Sequence, residues 1–131
     1  MGVELHPAFN PRNRELLYQA EGKALIDRLR VLRRMAKDRG IAPLSDFMDN
    51  REANVHADDF DFDEFQAQWD EWFSPADGLA AVQGLLDAIR SDPHAHKHVK
   101  DLETVQHDLE ELARCLHKAL EQGAQFRLEV H

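Results

Sequence analysis

Three residues where the last helical pattern starts, His94, His98 and Asp101, have the types and spacing that suit a metal ion. If that helix begins early, His94 and His98 stand at i and i+4, and Asp101 follows three residues on, along the side of Leu102 and Val105. Two imidazoles and a carboxylate would hold Zn or Fe with open positions, the basis of a metal-dependent enzyme or sensor. His96 points elsewhere and His107 falls on the opposite side. Three ligands on one short helical segment seldom suffice without a fourth from another element. A histidine-rich helix start with a partly buried, hydrogen-bonded His98 is the preferred reading, and no resident metal or cofactor is expected.

Other groups capable of chemistry have weaker patterns. Asp59-x-Asp61-x-Asp63 mimics the start of a calcium loop, with Asp70 at its twelfth position, but Glu64 stands where the sharp turn needs glycine and Trp69 interrupts the ligands. Cys115, the only cysteine, excludes an intrachain disulfide and a cysteine zinc cage; His117, two positions away, diverges from it by about 200° on a helix. Lys23, Arg30, Arg33, Arg34 and Lys37 fall within an arc of about 100°. No aromatic residue interleaves them, so a solvated face, or an internal partner for the acidic middle of the chain, is favoured over a phosphate grip. No nucleophile–base pair and no phosphate loop is evident, and the reading leans away from an enzyme.

The densest cluster is DDFDFDEFQAQWDEWFSPADG, residues 58–78. Residues 41–77 hold one Lys/Arg against eleven Asp/Glu, whereas residues 1–40 hold nine against five. With a net charge of −9, nucleic acid and anionic membrane are not expected as partners, because the long-range field repels phosphate. A protein with a basic surface is. Trp69, Trp72 and Phe73, with Asp63 and Asp70, are the candidate partner-binding residues, since large aromatics within an acidic segment have the composition of a docking patch. Most of that aromatic stripe must nonetheless serve the core of a domain this size.

Local signals define the elements that carry these residues. Asp61 as N-cap places Glu64 at N3 and pairs Phe60 with Phe65 as a hydrophobic staple. Phe62, Phe65, Trp69 and Trp72 then share one face of a single helix. Ser74-Pro75-Ala76-Asp77 starts the next helix, with Leu79, Val82, Leu86 and Ile89 on its apolar side until Asp92-Pro93 stops it. The last helix should cover about 97–122. Upstream, Asn10-Pro11 resembles a helix start, with the helix running to Arg39 along Leu25, Leu29, Leu32 and Ala36, loosened around Gly22 and ended by Gly40. Residues 44–54 read as a turn anchored by Leu44, Phe47 and Met48. Val3 and Leu5 predict a short strand over 2–6, interrupted by Pro7; QFRLEV predicts a strand over 125–130.

The stretches 33–47, 72–89 and 108–130 resemble small bacterial proteins of an uncharacterised family, in which a W-F-x-P-A-(D/E)-G-L turn, here WFSPADGL, precedes two helices and a terminal strand. The resemblance implies that fold pattern and no activity.

These readings converge on one domain over 1–131, α+β and predominantly helical, an irregular bundle of about four helices with a small sheet formed by terminal strands. Because strand 125–130 has at most one obvious mate, a symmetric homodimer is expected. MGVELHPAFN lacks the basic-then-apolar order of a signal peptide, and a cytoplasmic protein is expected. The function expected is that of a small interaction or regulatory protein using its acidic-aromatic segment to bind an unidentified protein partner.

Overall fold

A computed structural model describes residues 3–53 and 55–131 of the chain. Its first regular element, β1 (Leu5–Asn10), pairs antiparallel with β2 (Gln125–Val130), Leu5 opposite Val130 and Phe9 opposite Phe126. Beyond Leu5, Glu4 and His131 exchange both backbone hydrogen bonds, at 2.8 and 2.9 Å. Bonded and non-bonded pairs alternate in an antiparallel ladder, so His6 with Glu129 and Ala8 with Arg127 carry it, while Leu5, Pro7 and Phe9 turn their backbone groups away from β2. Pro7 thus lacks an N–H only where the ladder needs none. This corrects the strand expected over 2–6. Gly2 lies outside the described residues, and the strand continues through Pro7 to Asn10.

Asn10-Pro11 opens no helix. The chain instead makes a 3-10 turn at Arg14–Leu16, where Asn13 Oδ1 accepts from the Glu15 amide at 3.0 Å. The long helix expected as far as Arg39 is two helices, α1 (Lys23–Asp27) and α2 (Leu29–Arg39), parted at Arg28 where φ is −110° and ψ is 12°. Leu25, Leu32 and Ala36 are buried along them. Gly40 ends α2 as predicted, at φ 68°, and the Ile41 amide donates to the Ala36 carbonyl at 2.8 Å, closing the last turn. A second 3-10 turn at Leu44–Phe47 buries both its terminal residues.

Four further helices follow: α3 (Phe62–Ala67), α4 (Pro75–Ser91), α5 (Ala95–His98) and α6 (Leu102–Gln122). The chain is a predominantly helical α+β fold with a two-stranded sheet of terminal strands, and the described residues contain six α-helical segments where about four were expected. The extra ones come from the break at Arg28 and from α5, a separate turn before α6. The core lies chiefly between α4 and α6, where Val82, Leu85 and Ile89 meet Val105, Leu109 and Leu116. Gly78, in the first turn of α4, makes room for the sheet: a methyl group there would lie 2.2 Å from Phe126 Cζ. The N-terminal end of α4 is thereby fixed against β2.

Candidate functional site

Asp61 caps α3 as its position predicts, its side chain accepting from the Asp63 and Glu64 amides at 3.0 and 3.3 Å. The Phe60 and Phe65 rings meet at 5.8 Å, completing the staple. The helix then ends at Ala67, which overturns the single aromatic stripe. Trp69 and Trp72 lie beyond it on irregular backbone, and what orders them is Arg127 of β2, whose Cζ lies 4.4 Å from the Trp69 ring centroid and 4.3 Å from that of Trp72. Arg127 also donates to Glu129 Oε2 at 2.9 Å and to the Trp69 carbonyl. Stacked between two indoles and held by charge-assisted bonds, this guanidinium is a structural pin.

Phe73 is drawn into the sheet. It exchanges both backbone hydrogen bonds with Phe126, at 2.8 and 3.0 Å, and its ring meets Phe47 edge-on at 5.5 Å. Of the sequence-derived partner residues, Trp69 is therefore buried at 7% exposure, Trp72 and Phe73 are half-buried against Arg127 and the core, and Asp63 and Asp70 are exposed. The aromatic ring left outside is Phe62, at 58%.

Phe62 stands over a groove of about 490 Å³ between α3 and β2, walled by Met48, Phe65, Trp69, Leu128 and Val130. Arg51 closes one side. It donates to Asp49 at 2.7 and 2.9 Å and to the Phe65 carbonyl at 2.8 Å, with its Cζ 4.1 Å from the Phe65 ring centroid. Those bonds hold the Asp49 carboxyl below the usual carboxylate range. The one Lys/Arg of residues 41–77 is thus engaged internally, and the exposed Asp58, Asp59, Asp61, Asp63 and Glu64 leave the surface around α3 strongly acidic.

The other candidates do not assemble. α5 ends at His98 and α6 begins at Leu102, so His94, His98 and Asp101 share no helix, and Asp101, at φ 55°, faces Arg28 at 3.5 Å. No group of three His, Cys, Asp or Glu converges among the described residues. Cys115 is buried beside Arg114 and the Leu17 carbonyl, and burial pushes its thiol up to about 11; His117 pairs with Glu121 instead. Lys23 pairs with Asp27 at 3.0 Å, and Arg30, Arg33, Arg34 and Lys37 are exposed on α2.

Sequence reasoning missed Arg51, Arg127 and the groove itself. No local pattern distinguishes Arg127 from a surface arginine, although its alternation with Phe126 and Leu128 does place it on the polar side of β2. No helix among the described residues is long and apolar enough to cross a membrane. Comparison with protein-family models, with curated proteins and with solved structures gives no match.

Proposed function

We propose that the protein is a small cytoplasmic interaction or regulatory protein that holds a basic segment of a partner protein in the groove between α3 and β2. Phe62 carries this reading: its ring is 58% exposed at an apolar-walled groove, inside a stretch with eleven Asp/Glu and one Lys/Arg. An aromatic anchor beside apolar walls supplies binding energy; within the groove Asp49 pairs with Arg51 and Glu129 with Arg127, and the exposed acids of the neighbouring α3 surface are what would steer a basic partner towards it. Asp63 and Asp70 belong to the acidic surroundings, while Trp69, Trp72 and Phe73 support the groove from within through Arg127 and Phe126. The same acidity disfavours nucleic acid and anionic membrane. It also opposes a homodimer through this face, which would bring two acid-rich surfaces together.

Titration calorimetry with synthetic peptides tests the proposal. A decapeptide alternating Lys and Val is expected to bind, to weaken as salt is raised, and to lose roughly tenfold in affinity against Phe62→Ser. Its Glu-Val counterpart should not bind. Equal binding of the two peptides, or an affinity unmoved by Phe62→Ser, overturns the reading.

A further inference from the structure

A second hollow, of about 590 Å³, lies where the joint between α1 and α2 meets the link from α5 to α6, and it shares no lining residue with the groove. Arg28, Arg30 and Arg34 line it from the first of these segments, His98 and Lys100 from the second. Half-buried Ile26 and Val31 add apolar surface. Asp27 is the one carboxylate in the lining, and Lys23 holds it at 3.0 Å. Arg28 reaches Asp101 only at 3.5 Å, while Arg30, Arg34 and Lys100 form no ion pair among the described residues. The internal partner expected from the acidic middle of the chain is not supplied: Asp49 is taken by Arg51, and no carboxylate of residues 41–77 pairs with α2 among the described residues.

Cations gathered in one concave surface repel one another, and each gains from an anion placed among them. The Nε of Arg28 is buried and has no acceptor among the described residues, so this guanidinium keeps a donor for a further oxygen. The ladder of α2 starts with the Leu32 amide donating to the Arg28 carbonyl at 3.0 Å, and neither a side-chain cap nor an acid in the first turn meets the amides before it. Those amides belong to Leu29, Arg30 and Val31, all in the lining, and they add to the positive potential that the side chains set up.

We infer that this hollow binds a small organic phosphate, its phosphoryl oxygens held by Arg28, Arg30, Arg34 and Lys100 and its apolar part resting on Ile26 and Val31. Guanidinium forks match phosphoryl oxygens, and a dianion with three such oxygens can engage several of these donors at once. The size of the ligand follows from the reach of the charges. At physiological salt a small anion feels chiefly what lies within about 8 Å, and this lining offers four Lys/Arg against one paired carboxylate. A nucleic acid or an anionic bilayer would extend past the hollow, over a molecule whose net charge is −9. The site is separate from the partner groove and does not depend on it.

Titration of the full chain with phenyl phosphate, followed through its backbone amide shifts, is the test. Phenyl phosphate should bind with a dissociation constant of about 1 mM or below and move the amides of residues 28–31 and 98–100 first, whereas phenol should move none of them. The paired substitution Arg34→Gln/Lys100→Gln should weaken binding by roughly tenfold or more. Arg33→Gln/Lys37→Gln removes the same charge outside the hollow and should change the affinity less than about threefold; Phe62→Ser, in the groove, should leave it unaltered. Equal losses in the two paired variants would reduce the effect to long-range charge and overturn the site, as would equal binding of phenol or shifts that gather elsewhere or fail to develop. Should either variant unfold, the position of the parent's shifts decides. A short single-stranded oligonucleotide or a phosphatidylserine vesicle that binds more tightly than phenyl phosphate, and loses that affinity in Arg34→Gln/Lys100→Gln, would assign the cations to a macromolecule and overturn the small ligand.

Discussion

Arg127 holds Trp69 in two ways at once: its guanidinium lies 4.4 Å from the indole centroid, and its Nη1 donates to the same residue's carbonyl. Ring and backbone are fixed by one side chain, and Trp72 stacks on the guanidinium as well. Arg127→Ala should therefore cost about 2 kcal/mol, read as a fall in the urea midpoint, and should shift tryptophan emission towards that of exposed indole in the folded state. Arg127→Lys should recover part of the stability, since it keeps the charge and loses the planar fork. Unaltered emission in Arg127→Ala would show that the indoles are ordered by something else.

Among the described residues Asp108, on α6, is the one buried charged residue, 1% exposed and with Oδ2 unpaired. Burial raises its carboxyl above the ordinary 3.8, with Glu21 adding to the rise while His107 and the amides of Gly22 and Leu25 oppose it. A raised native pKa gives stability that is full below the unfolded value and is lost as pH climbs through the native one. Asp108→Asn should therefore be more stable than the parent at neutral pH, by on the order of 1 kcal/mol, and the gap should close below pH 3.8. Thermal midpoints of both proteins across that range provide the check. A gap that widens on acidification would reverse the sign assigned here.

The caps of α3 and α4 should respond differently. Ser74 Oγ accepts from the Ala76 amide at 3.2 Å at the head of a helix whose inner face is core, so Ser74→Ala should lower global stability by about 1 kcal/mol. Asp61 caps a six-residue helix with no fully buried side chain, and Asp61→Ala should speed amide exchange in α3 with little change in the global midpoint. Equal midpoint losses in the two variants would mean that α3 unfolds only with the core.

At Gly78 even a methyl group is too much. It would sit 2.2 Å from Phe126 Cζ, in a first turn backed by the sheet. Gly78→Ala should cost about 1–3 kcal/mol despite the better helix propensity of alanine. A calorimetric midpoint at or above the parent's would indicate that Phe126 swings aside without loss.

What could be read from the sequence was what a few neighbouring residues decide among themselves. Asp61 with Phe60 and Phe65, Ser74 with Pro75, Gly40 with Ile41, and the alternation of QFRLEV each encode a local geometry, and each is realised. Trp69 and Trp72 fit a helical spacing equally well, yet Arg127, distant in sequence, offers them a better arrangement off the helix. Pro7 looked like a strand breaker because its missing N–H matters only relative to a partner strand, and that partner comes from the other end of the chain. The groove was illegible for the same reason: its walls are drawn from residues 48, 62, 65, 69, 128 and 130, which no window along the chain brings together.

The paired strands are the first and last regular elements among the described residues, joined at Glu4 and His131. Their ladder therefore closes a loop containing every helix, and such a long-range pairing gains its contacts only after the intervening chain has condensed. The same geometry gives the molecule a mechanical weak direction. Tension applied between residues 4 and 131 loads the ladder from one end, so its bonds open in succession, like a zip, and Phe126 is reached only after the outer pairs have parted.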